Sequence, residues 1–163
     1  MVERRLGMAV MLTLTWLPLA GSADEVPTDR HVGYYYPAPT SGETYVARSR
    51  VLDDSNRARR IGFVTVLTNQ MLQAPYPPQF AIYAKGAEAE KLIIVGLNDN
   101  GFNSIYRARA LLAMLTAQAR VTPLFRDTNL AEVFTFLDLA KLLGFQLITV
   151  SDGRDFAHQI VIE

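Results

Sequence analysis

The chain has 163 residues, half of them apolar, and its 16 Lys+Arg are matched by 16 Asp+Glu. That balance removes any global attraction to nucleic acid or an anionic membrane surface, and the apolar content is too high for a disordered chain. Cysteine is absent, which excludes disulfides, thiolate metal sites, iron–sulfur clusters and cysteine nucleophiles.

The first residues read as an export signal. Arg4 and Arg5 stand ahead of an apolar run over residues 8–17, Pro18 ends the run, and Gly21 and Ala23 supply the small residues of a cleavage site. The run is about half the roughly 20 residues that a membrane-spanning helix needs. Residues 1–23 therefore read as a signal peptide and not as an anchor. Glu3 before the arginine pair and Gly7 after it fit the general secretory route better than a twin-arginine signal. The expected mature chain starts at Asp24, in the periplasm or outside the cell. It loses Arg4, Arg5 and Glu3, which leaves 14 basic and 15 acidic residues.

Residues 24–42 hold Gly33, Pro27, Pro37 and Pro39 around Tyr34, Tyr35 and Tyr36. Proline removes backbone donors and favours extended chain, so this segment reads as an arm held against the domain by its tyrosines. A single domain follows over 43–163. It opens with a strand over 43–51, with Tyr45, Ala47 and Val51 on one face and Arg48 and Arg50 on the other. Asp53, Asp54 and Ser55 offer caps for a helix over 56–72. Its stripe runs through Ile61, Val64, Leu67 and Met71, and Phe63 and Val66 widen it, so a well-buried helix is expected. Pro75 and Pro77 stop it.

Apolar runs over 80–84 and 92–97, parted by Gly86 and a charged stretch, predict an antiparallel hairpin. A turn over 98–101 leads to a second helix over 103–119, in which Ile105, Ala108, Leu112, Leu115 and Ala119 keep an unbroken helical spacing. Asn129 with Glu132 forms an approximate capping box for a third helix through Leu143, with Val133, Leu137 and Ala140 inward and Gly144 as the left-handed cap. Strands over 146–150 and 157–162, joined by a turn over 151–155, close the chain. The order β-α-β-β-α-α-β-β predicts an α+β fold: a mainly antiparallel sheet of four to five strands with about three helices on one face.

Motifs for chemistry are sparse. The two histidines, His31 and His158, fall in the arm and in the last strand with no carboxylates clustered around either, so no metal site is expected and His158 reads as a sheet-face residue. The 98–101 turn fails as a calcium loop, because Gly96 and Arg107 would occupy the first and last ligand positions. No phosphate-binding glycine loop or nucleophile elbow occurs, and no cofactor is expected. The most unusual feature is cationic. Arg57, Arg59 and Arg60 occupy the first turns of the first helix, where the dipole disfavours them. Arg48 and Arg50 precede them, and Arg107 and Arg109 repeat the pattern at the start of the second helix. Arg48, Arg50, Arg57, Arg60 and Arg107 are thus candidates for binding an anionic group. The alternative is that Asp53, Asp54 and other carboxylates pair them, or that water solvates them.

Two stretches carry a resemblance. Ala58-Arg59-Arg60-Ile61-Gly62-Phe63-Val64-Thr65 with Leu67-Thr68-Asn69-Gln70-Met71 is one, and Ala84-Lys85-Gly86 with Glu90-Lys91-Leu92-Ile93-Ile94-Val95 is the other. Together they resemble a family of small exported bacterial proteins, some of which carry the name molybdopterin-guanine dinucleotide biosynthesis protein A. The resemblance spans Tyr45 to Ile162 and implies an exported domain, with a link to molybdenum cofactor synthesis through that name. The nucleotidyltransferase of that name opens on a glycine-rich loop. The nearest sequence here, Leu19-Ala20-Gly21, lies inside the signal peptide, so no site residue carries over.

The function expected from the sequence is an exported soluble domain that binds a partner protein or a small anionic ligand, with no nucleic acid and no membrane span after signal removal. The alternatives are an enzyme whose non-motif site is assembled from scattered polar residues, and a protein linked to molybdopterin-guanine dinucleotide biosynthesis.

Overall fold

The structure is a computed structural model that describes residues 37–97, 101–120 and 134–163. The signal segment, Tyr34 to Tyr36, His31, most of the 98–101 turn and the Asn129–Glu132 pair lie outside these residues. The described elements are β1 (Ser41–Tyr45), α1 (Arg57–Gln73), β2 (Phe80–Lys85), β3 (Lys91–Gly96), α2 (Ile105–Arg120), α3 (Phe136–Leu142), β4 (Leu147–Ser151) and β5 (Ala157–Ile162). Their order is the one the sequence predicts, and the fold is α+β.

Asn56, not the three residues before it, caps α1: its extended backbone places the side-chain oxygen 2.9 Å from the Arg59 N–H. Asp54 pairs with Arg59 instead, and the Ser55 hydroxyl donates to the Leu143 carbonyl. The buried face of α1 is Arg60, Val64 and Leu67, with Phe63 and Met71 packed beside it. Val64, Leu67 and Met71 thus keep the expected stripe, but Ile61 is 37 % exposed and Val66 55 %, so the stripe begins at Arg60 and the helix is half solvated. The long Arg60 stem takes the inward position expected of Ile61.

In α2 the expected stripe is present, with Ala108, Leu111, Leu112, Leu115 and Ala119 buried. Leu115 is 1 % exposed, so Leu115→Ala should leave a cavity and cost about 2–5 kcal/mol. Exposed Arg120 should accept alanine within about 0.5 kcal/mol. Chemical denaturation of the two variants checks this, and equal midpoints would mean the inward face of α2 is misassigned.

The third helix starts later than its expected cap. Residues 134 and 135 are not helical, and Thr135 caps α3 in a reciprocal box with Asp138. The Asp138 side chain is fully buried and serves two elements. Its carboxylate accepts from the Thr135 N–H (2.8 Å) and hydroxyl (3.0 Å), the Arg48 N–H (2.8 Å) and the Tyr45 hydroxyl (3.2 Å). Burial pushes its pKa up, but these donors outweigh burial and hold it below its ordinary value. Ser49 also donates to the Asp138 carbonyl. These bonds explain why β1 ends at Tyr45 instead of running to Val51: the chain leaves the sheet to cap and line α3. Arg48 and Arg50 are accordingly not on a strand. Gly144 ends α3 with φ +83°, as expected of a left-handed cap, and a Cβ there would collide with Ser55 Oγ and Arg60.

The sheet order is β1-β5-β4-β3-β2. The two hairpins, β2–β3 and β4–β5, are antiparallel, but β3–β4 and β1–β5 are parallel. The sheet is therefore mixed rather than mainly antiparallel. The reason is the helical connections: a chain that leaves one end of the sheet and crosses back through helices re-enters in the same direction. The three described helices pack on one face, against Leu92, Ile94, Ile148, Val150, Ile160 and Ile162. Ile93 and Ala157, with Tyr83 and Val95, make a smaller cluster on the other face.

Candidate functional site

The arginines that the sequence grouped differ in burial and in partners. Arg60 is 7 % exposed and turned inward. Its Nε donates to the Glu88 carbonyl at 2.8 Å, and one terminal nitrogen donates to Ser55 Oγ at 3.1 Å and the Leu143 carbonyl at 3.3 Å. It therefore ties α1 to the β2–β3 turn and to the end of α3. The cleft beside it, about 430 Å³, is lined by Lys141 but also by Glu88 and Glu90, so its charge is mixed. Arg48 contributes its backbone N–H to Asp138, and Arg48, Arg50 and Arg57 are exposed. Arg107 lies on α2 and reaches Asn103 at 3.3 Å, and Arg109 pairs with Glu43 at 2.6 Å.

That last pair belongs to a cluster that the sequence did not reveal. β1 lies beside β5 with Ser41 opposite His158, and residues two apart on a strand share a face, so Ser41, Glu43 and His158 face the helices together. His158 is 2 % exposed, and its Nδ1 lies 2.9 Å from Ser41 Oγ. Its Nε2 lies 3.2 Å from Glu43 Oε1, but off the hydrogen-bond line. It is the only buried side-chain nitrogen or oxygen among the described residues without a hydrogen-bond partner. The Arg109 guanidinium holds Glu43 below the usual carboxylate range, against the effect of burial, with His158 adding to the same end. His158 is thus a sheet residue, as expected, but an interior one with polar partners. Among the described residues no three His, Asp or Glu side chains converge as metal ligands.

A concavity somewhat larger than the cleft beside Arg60 lies elsewhere. Residues of the last turns of α1, of α2 and of the start of β2 surround a groove of about 490 Å³. Leu67, Met71, Phe80, Ile82, Met114 and Leu115 form its floor and walls. Tyr76, Pro77 and Pro78 close one end, and Gln70, Gln79 and Gln118 supply side-chain amides. Tyr76 is 80 % exposed and Met114 38 %, so both present apolar surface to solvent at the groove. No charged residue is among the described ones that line the groove. The sequence held no signal for it, because its lining joins residues 67–82 to Met114, Leu115 and Gln118 on α2, more than thirty residues on.

Among the described residues no helix is long and apolar enough to cross a membrane. Comparison with family models, with curated proteins and with solved structures finds no match to this chain.

Proposed function

We propose that the chain is an exported binding domain whose ligand occupies the groove between α1, α2 and β2. The observation that carries this reading is the lining: a largely apolar cavity of about 490 Å³ whose polar side-chain groups, among the described residues, are three glutamine amides and the Tyr76 hydroxyl. Ligand sites of small molecules are typically about 300–1,000 Å³, apolar, with a few polar groups that fix orientation. A groove with this lining takes a neutral, largely apolar molecule, or an apolar side chain of a partner protein, carrying amide-like or hydroxyl groups for the glutamines. The two methionines suit such a ligand, because their flexible thioethers adapt to irregular shapes. The anionic ligand expected from the arginines has less support: Arg60 is buried on carbonyl oxygens, and no described residue of the groove is cationic.

The neutral fluorescent probe N-phenyl-1-naphthylamine tests the proposal. It should bind saturably, with one site per chain, and raise the unfolding free energy by about 2.7 kcal/mol at a hundredfold excess over its dissociation constant. Met114→Lys puts a charge at the groove mouth and should weaken binding at least tenfold, while changing stability by no more than about 0.5 kcal/mol. Undiminished binding in that variant would place the site elsewhere.

A further inference from the structure

We propose that Ser41, His158 and Glu43 form a nucleophile–base–acid relay, and that the domain has a serine-dependent acyl-transfer activity toward carboxylic esters.

The geometry has the parts such chemistry needs, in hydrogen-bond or ion-pair reach. A serine nucleophile requires a base to take its proton and a third group to orient that base. Ser41 Oγ is 2.9 Å from His158 Nδ1, and Glu43 Oε1 is 3.2 Å from His158 Nε2. A carboxylate facing Nε2 places the ring proton on that nitrogen. Nδ1 is then the acceptor, and the Ser41 hydroxyl donates to it. Arg109, 2.6 Å from the other Glu43 oxygen, keeps the carboxylate charged. The imidazole that would carry transient positive charge is thus buried against a fixed negative one. Nε2 is off the hydrogen-bond line to Glu43 here. Such bonds in a free enzyme are commonly long or poorly aligned and tighten around substrate.

A purely structural role accounts for Ser41 but not for the rest. A histidine that only joined β5 to β1 would need one good bond, yet this one is 2 % exposed with its second nitrogen unsatisfied beside a carboxylate. An unpaired buried polar atom lowers stability, and apolar side chains at the same sheet position pack without it. Access comes from the outer side. β1 is an edge strand, Ser41 is half-buried, and the Glu43 and Arg109 side chains are 33 % and 58 % exposed. Tyr106, one turn before Arg109 on α2, is 84 % exposed and available to an ester's apolar end.

The step balances without a cofactor. Ser41 Oγ bonds to the ester carbonyl carbon while its proton moves to His158 Nδ1. The carbon–oxygen bond to the alcohol breaks, and the departing oxygen takes the proton from His158. Water then cleaves the acyl-serine by the same route in reverse and restores the hydroxyl.

A fluorophosphonate probe tests the relay, because it phosphonylates a serine that such a base activates, with loss of fluoride. The folded protein should gain one probe mass, mapped by fragmentation to Ser41, and Ser41→Ala should gain none. Glu43→Gln, at a half-exposed position, should slow labelling at least about tenfold, and His158→Gln at least about a hundredfold. Circular dichroism of each variant separates lost reactivity from lost fold. An unlabelled folded protein, labelling that survives Ser41→Ala, or a rate unmoved by a folded Glu43→Gln would each overturn the proposal. None of these outcomes bears on ligand binding in the groove.

Discussion

Asp138→Ala is expected to lower the unfolding free energy by about 3–5 kcal/mol, the range seen when one partner of a buried polar network is removed. The carboxylate is fully buried and accepts from Thr135, Arg48 and Tyr45. Its loss strands these donors at once, uncaps α3 and frees the segment after β1. Asp138→Asn keeps one acceptor oxygen but turns an amide donor toward other donors, so its cost should fall between wild type and alanine. The pH dependence follows from the direction of the shift. The folded pKa lies below its ordinary value of 3.8, so the ionised form stabilises the fold above that value, and the contribution disappears as pH falls through the folded pKa. Glu43, lowered from 4.5 chiefly by Arg109, acts in the same direction. Urea midpoints measured from pH 6 to pH 2 should therefore fall more steeply for wild type than for Asp138→Asn. Parallel profiles would show that the Asp138 carboxylate is not held ionised by its donors.

The second large effect is expected at Arg60. Arg60→Glu sets a carboxylate against the carbonyl oxygens of Glu88 and Leu143 in a site that is 7 % exposed. An uncompensated buried charge of this kind costs several kcal/mol, about 4 or more, which is a large fraction of the stability of a domain this size. Arg60→Met keeps the packed stem and loses only the donors, so about 1–3 kcal/mol is expected. Equilibrium denaturation of the two variants distinguishes this from a surface arginine, for which both losses would be within about 0.5 kcal/mol.

What the sequence made legible was local. The α2 stripe reads correctly because every inward position is apolar and the period never breaks. The hairpins read correctly because Gly86 and Gly153, both at positive φ, sit in the turns between short apolar runs. Gly144 marked the end of α3 for the same reason. Features that depend on distant chain segments were hidden. The alternation after Tyr45 looks like strand up to Val51, but Asp138, some ninety residues on, captures that backbone. Arg60 reads as surface because hydropathy counts its charged head and not its stem. The Ser41–His158–Glu43 cluster needs β1 to lie parallel to β5, and nothing in either strand announces that partner. The groove has no sequence signature at all, since Met71 and Met114 come to line it only after two helices have folded onto one sheet face.

Those two methionines offer the most direct test of the binding proposal. The chain has five methionines, and Met1, Met8 and Met11 lie in the expected signal segment, so the protein spanning 24–163 retains only Met71 and Met114. Both line the groove. With carbon-13 in the methionine methyl groups, that protein should give two methyl resonances. Titration with N-phenyl-1-naphthylamine should move both, with one common dissociation constant that matches the fluorescence value. Saturable fluorescence with both methyl signals unmoved would contradict the groove as the binding site.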